Sequence, residues 1–302
     1  MNKIFSHQSV MLDEVLAYFI PKPGCVFVDT TAGKGGHLAG LAELVGEQGR
    51  VIAFDRDLRA HQEDAALGVA QKFPRQVQLI HAPFSEVQER LLALGIENID
   101  GLLCDLGVSS HQLDDPERGF SLKSDGPIDM RMDQSCGESA YEFLKNTRES
   151  DLADILYTLG DERKSRAIAK AIKAAWPIKN STLALSQIIV SAIRPKKWSA
   201  THAATKSFQA IRMAVNGETS ELQTLLAKLP ELLNVGGVAV FISFHSIEDR
   251  MVKLAFKALA HKDYPAGSFT ILTKKPMIAG TGELTENRRA RSAKLRAIKR
   301  VA

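Results

Sequence analysis

No apolar run in this 302-residue chain approaches the roughly 20 residues that carry a helix across a bilayer, which excludes an integral helical membrane protein. Cysteine is scarce. The three present, Cys25, Cys104 and Cys136, are odd in number and far apart, which suits reduced thiols in a cytosolic protein and not a disulfide framework. Cys25 and Cys104 sit inside apolar, strand-like runs and read as buried filler. Metal-ligand spacing is missing as well. The acids Asp125, Asp129 and Asp133 are interrupted by Gly126-Pro127 and read as a loop in which Arg131 supplies a partner, so no metal is expected. No secretory leader is evident, because Asp13 and Glu14 arrive before any long apolar stretch; the expectation is a soluble, cytoplasmic protein. The pyrophosphate fingerprint Gly-x-Gly-x-x-Gly directly after a strand does not occur either.

What is present is ordinary in bulk and uneven in detail. Hydrophobic residues make up 45% and charged residues 25%, enough for a sizeable core in one domain plus an insertion. The net charge of +4 hides a basic end. Residues 287 to 302 carry seven Lys and Arg and no acid, leaving −3 for the rest. On charge alone that end reads equally as a solvated tail or as a grip on phosphates.

Along the chain, apolar strand runs alternate with helical periodicity: Cys25 to Val28, Val51 to Phe54 closed by Asp55, Val77 to His81, and Asp100 to Asp105. Such spacing predicts parallel β-α-β units in a doubly wound α/β sheet. From about His111 to Thr205 no strand run appears, and turns followed by helical patterns predict a helical insertion. Strands resume at Gly236 to Ser243 and at Phe269 to Thr273. The expected division is 1–110, the insertion 111–205, and 206–302.

The first strand feeds the loop Asp29-Thr-Thr-Ala-Gly-Lys-Gly-Gly-His37, whose glycines let backbone N–H groups and a helix start approach a ligand. An acid at that strand end repels a pyrophosphate and suits a ligand with a cationic amino group, such as the methionine part of S-adenosylmethionine. Asp55 is placed to accept bonds from ribose hydroxyls, a role NAD and S-adenosylmethionine proteins share. Asp105, at the end of the fourth strand, is a candidate site acid. Phe244-His-Ser-Ile-Glu-Asp-Arg250 arrives at the same sheet edge, and Ser246 with Glu248 and Asp249 also fits a helix start.

These motifs together resemble the bacterial 16S ribosomal RNA cytosine-N4 methyltransferases of the RsmH/MraW type. The resemblance rests on His7 with Val10 to Glu14, Gly33 to His37, Asp55-Arg-Asp57, Asp105 to Asp114, Arg118-Gly-Phe-Ser121, Asp125 to Asp133, Gly160-Asp-Glu-Arg163, Thr205 to Arg212 with Val215-Asn216, Phe244 to Arg250, and Ala290-Arg-Ser292. It implies a class I S-adenosylmethionine-dependent methyltransferase domain, interrupted by a helical substrate-recognition insertion, that methylates one cytidine amine in the ribosomal decoding centre. The partner implied is 16S rRNA in the small ribosomal subunit, with no membrane partner and with a homodimer left open. The family's cofactor contacts fall on Gly35, Gly36, His37, Asp55, Phe84, Asp105 and Gln112, with Phe84 against the adenine. Ala32, Gln134, Ala203 and Arg288 depart from the family's pattern, and only Ala32 neighbours the cofactor set.

A cytosine amine is a poor nucleophile, since its lone pair is delocalised into the ring, so position and polarity must do most of the catalysis. The Asp/Asn/Ser-Pro-Pro-aromatic motif of other amino-methyltransferases is replaced here by Asp105-Leu-Gly-Val, and Asp105 or His245 is the group expected to orient the amine. Trp176 and Trp198, with Arg194, Lys196 and Lys197 nearby, suit stacking on RNA, although burial in the helical core is the favoured reading of Trp176. Two other classes compete: a nicotinamide oxidoreductase, which needs the missing pyrophosphate loop, and a non-catalytic RNA-binding protein, which needs no cofactor loop.

Overall fold

The computed structural model describes residues 9–62, 66–194, 202–262, 264 and 269–302. His7, Lys196, Lys197 and Trp198 lie outside the described residues. The chain divides into two compact units, one of residues 1–107 with 220–302 and one of residues 108–219. Among the described residues, seven helices reach ten residues or more. They are α1 (Gly36–Val45), α2 (Glu149–Gly160), α3 (Ser165–Ala174), α4 (Thr182–Ile193), α5 (Thr205–Val215), α6 (Glu218–Leu232) and α7 (Ser246–Leu259).

The first unit is built on seven strands: β1 (Val26–Asp29), β2 (Arg50–Asp55), β3 (Val77–His81), β4 (Ile99–Asp105), β5 (Leu233–Ser243), β6 (Phe269–Ile271) and β7 (Lys294–Arg300). Their order is β3-β2-β1-β4-β5-β7-β6. The first five are parallel, and β7 runs antiparallel to both of its neighbours. Strands covered on both faces read as unbroken apolar runs, as Val26-Phe-Val and Val51-Ile-Ala-Phe do. Successive residues then feed opposite layers. Phe27 and Val240 join one core with Leu38 and Leu41 of α1, while Val28 and Phe241 join the other with Phe256 of α7. Gly101 is required by packing, since a Cβ there would lie 2.6 Å from the Phe19 ring.

The doubly wound sheet matches the expectation, but its far side does not. The basic end supplies β7, an inner strand between β5 and β6, where Leu295, Ala297 and Ile298 are fully buried. Arg296 is buried with them and donates from Nε to Asp249 of α7 at 2.7 Å, and Lys294 lies 3.3 Å from the same carboxylate. Arg300 donates to the carbonyls of Pro230 and Leu233. Much of the positive charge thus closes a sheet.

The second unit holds no strand among its described residues. Leu144, Leu156, Ile168, Ile172, Leu185, Ile189 and Ile211 form its core. Arg118, 1% exposed, donates to the carbonyls of Arg131 and Met132, and the Asn216 amide bonds the backbone of Met130 and Met132. These bonds fix the segment 128–133, where Arg131 forks onto Asp129 through Nε at 2.9 Å and Nη2 at 2.8 Å. Asp125 instead accepts from the Ser181 hydroxyl at the start of α4. Trp176 is half-buried, its ring 5.0 Å from that of Tyr141. The unit runs to Thr219, past the end drawn at 205, because α5 buries Phe208, Ala210 and Ile211 against the helical core.

Candidate active site

In an open α/β sheet the crevice beyond the strand ends opens where strand order reverses, which here is between β1 and β4. Each of those strands ends in an acid. Asp29 is fully buried, with Oδ1 accepting from the Thr31 N–H at 3.0 Å and Oδ2 unpartnered among the described residues. Asp105 keeps about a quarter of its side chain exposed, and its buried Oδ1 is likewise unpartnered. Burial pushes Asp29 up to about 6, against the pull of His37. Burial pushes Asp105 up to about 7; Arg289 opposes the shift and Glu248 adds to it. Two desolvated carboxyls with unused acceptor atoms are costly to keep unless a cationic or hydrogen-donating ligand meets them.

Thr31 ties the two ends together. Its hydroxyl accepts from the Asp105 N–H at 2.8 Å and lies 3.4 Å from Asp29 Oδ1. Asp55, ending β2, accepts from the N–H groups of Gly33 at 2.8 Å and Asp57 at 2.8 Å, one to each oxygen, and burial raises it. A carboxylate has about four lone-pair sites, so capacity for hydroxyl donors remains. The loop turns into α1 through Gly35, whose φ of 73° lies in the region glycine favours. Gly36 has no room for a side chain, as its Cβ would stand 1.9 Å from Ser9 Oγ.

His37, in the first turn of α1, is 6% exposed. Its Nε2 faces the Val10 carbonyl at 2.9 Å, and a carbonyl only accepts, so Nε2 carries the proton. Nδ1 then points its lone pair toward Asp105, 3.7 Å away, and burial holds the ring's pKa below the ordinary value. Phe84 opens the short turn after β3 and is half-buried. Gln112 belongs to the helical unit, where it closes a capping box with Ser109 at the start of the helix Ser110–Asp114.

At the end of β5 the helix cap is His245 and not Ser246, which is already helical. His245 Nδ1 accepts from the Glu248 N–H at 3.4 Å, and Nε2 stands 3.1 Å from Glu248 Oε1. Glu248, 4% exposed, also accepts from the Phe244 N–H. The structure therefore brings Asp29, Gly35, Gly36, His37, Asp55 and Asp105 to one sheet edge. The sequence pattern gives Thr31 no role and marks Glu248 only as an acid at a helix start, not as the partner of His245. The only signal for Thr31 was its place one residue after the first strand's buried neighbours.

Residues 4–301 match the MraW methylase family. The chain belongs to that family. Among its relatives is the ribosomal RNA small subunit methyltransferase H of Sorangium cellulosum (strain So ce56), 45% identical over 98% of this chain and 91% of that protein. Proteins of the same name from Geobacter sp. (strain M21) and Anaeromyxobacter sp. (strain Fw109-5) are each 42% identical, covering 98% and 100% of this chain and 99% and 100% of their own lengths. In this MraW methylase the fold is the class I methyltransferase sheet interrupted by a helical insertion, and the cofactor is S-adenosylmethionine. The donor set fits that group: an unpartnered carboxylate oxygen on Asp29 for an ammonium, spare lone pairs on Asp55 for ribose hydroxyls, and a glycine-rich loop between them.

Proposed function

We propose that this protein methylates the exocyclic N4 amine of one cytidine in the decoding centre of 16S rRNA, acting on the small ribosomal subunit. The names of the relatives support a small-subunit RNA substrate, and the observation that carries the chemistry is the pair of unpartnered buried carboxylate oxygens on adjoining strand ends. Bound S-adenosylmethionine supplies an electrophilic methyl group on a cationic sulfur. The chain's own residues supply position and a place for a proton. Asp29 neutralises the ligand's amino group, Asp55 takes the ribose, Gly35, Gly36 and His37 shape the loop, and Phe84 lies against the adenine.

Asp105 is the group we assign to the target amine. Its free Oδ1 accepts a hydrogen bond from the amine, which fixes the direction of the nitrogen lone pair, and a carboxyl held at about 7 takes the surplus proton as the new bond forms. His245 is held by Glu248 at the end of β5, where it sets the position of the neighbouring wall. Small subunits lacking the modification, incubated with tritiated methyl donor and digested to nucleosides, are expected to yield labelled N4-methylcytidine. Label in any other nucleoside, or none, overturns the reading.

A further inference from the structure

From Arg163 to Gly217 the sequence contains eleven Lys and Arg and no Asp or Glu, in a chain whose net charge is only +4. The stretch covers α3, α4 and α5 of the helical unit. Some of these cations have structural work: Lys164 and Lys173 donate to the carbonyls of Ile193 and Leu144, Lys206 to that of Asp161, and Arg212 forks onto Glu218. Others have none. Arg163, Arg166, Lys170 and Arg194 are exposed and, among the described residues, make no side-chain hydrogen bond or ion pair.

Their placement is ordered. Arg166 and Lys170 stand one helical turn apart on the outward side of α3, whose other side buries Ile168, Ala169 and Ile172, and Arg163 lies in the turn just before the helix. The Lys164 to Ile193 bond puts the start of α3 beside the end of α4, where Arg194 stands. Between the two helices lies an open groove of about 570 Å³, floored by Ala171, Ala184, Gln187, Ile188 and Ser191, with Arg194 in its wall. Like charges one helical turn apart destabilise a helix by a few tenths of a kcal/mol per pair in the absence of a counter-charge. Ala171, Ala184 and Ser191 in that floor leave room beside the cations for an extended, negatively charged backbone.

We infer that the outward face of α3, with Arg194 and the α3–α4 groove, is a docking track for the phosphodiester backbone of a single-stranded RNA segment. The inference rests on the small-subunit RNA reading and names the surface that holds that substrate outside the methyl-transfer site. Backbone contacts carry no sequence information, so the track supplies affinity and register while the base is selected elsewhere.

The test compares the full-length wild type with R166Q/K170Q/R194Q in two assays: binding of a fluorescent single-stranded RNA oligomer across about 50 to 200 mM salt, and methyl transfer to unmodified small subunits. Three lost phosphate contacts are expected to lower the slope of log affinity against log salt by about 2 and to raise the subunit KM about tenfold or more. Affinity for S-adenosylmethionine stays unchanged. The charge-preserving R166K/K170R/R194K retains wild-type binding, and the single variants R166Q and K170Q each lower the slope by about 0.7, which guards against misfolding of the triple variant. An unchanged slope and KM in the folded variant show an idle solvated face and overturn the track. A wild type that binds the oligomer through these residues but labels no subunit RNA overturns the functional reading and leaves the track standing.

Discussion

Three side chains at the strand ends have separable, measurable roles. Asp29 is held at about 6 in the fold, against 3.8 for an ordinary Asp. Its raised folded value means the native state keeps a proton the unfolded chain has lost, so its contribution to stability is present below pH 4 and fades as pH rises through 6. The substitution Asp29→Asn removes that penalty and is expected to stabilise the free protein at pH 8 by about 2–3 kcal/mol in urea titrations while leaving pH 4 unaffected. Calorimetry on the same variant is expected to show at least about tenfold weaker S-adenosylmethionine binding, since a charge-assisted bond of about 1.5–3 kcal/mol is lost. With Asp105 as the proposed proton acceptor the ionised form is the useful one, so single-turnover rates are expected to rise with pH through about 7 and then level. The Asp105→Asn variant flattens that limb; a persisting limb at 7 moves the proton acceptor elsewhere. Thr31→Val leaves the Asp105 N–H without its acceptor and predicts a lower kcat with a smaller change in cofactor affinity.

At the scale of elements, β7 changes what the basic end is for. Breaking a buried ion pair by removing one partner costs about 3–5 kcal/mol, so Asp249→Ala is expected to lower the stability of the sheet unit by about that much in denaturant titrations. A tail used only to grip phosphates would show no such loss. This strand was illegible in the sequence because Arg296 becomes a core residue only through Asp249, 47 positions away. Without that partner, Lys-Leu-Arg-Ala-Ile-Lys-Arg reads as charge. The opposite holds for β1, β2 and β4, whose apolar runs end in Asp29, Asp55 and Asp105, so both the strands and the sheet edge that carries the candidate site could be placed from local pattern alone. The α7 cap was misread by one residue, since His245 does by ring nitrogen what Ser usually does by hydroxyl. The insertion's helices were legible by periodicity, but nothing in α5 announces which core its Phe208 and Ile211 will join.

Taken whole, the molecule carries separate cores for its two units. Leu156→Ala is expected to cost about 2–5 kcal/mol in the helical unit, and native-state hydrogen exchange should show faster opening of α2, α3 and α5 amides with β1, β2 and β4 unchanged. Equal acceleration in both sets of amides means the units unfold as one. The separation also has a price in time. The neighbouring strands β4 and β5 are divided in sequence by the whole helical unit, from Gly107 to Ser220. At about 5–20 residues per second, a ribosome takes roughly 6–23 seconds to synthesise that stretch. Throughout that interval the nascent β4 has no β5 to pair with, and the strand that ends in Asp105 is an open edge for any other extended chain nearby. Expression yield should therefore respond to synthesis speed and to chaperones that cover strand edges more than to the stability of the finished protein.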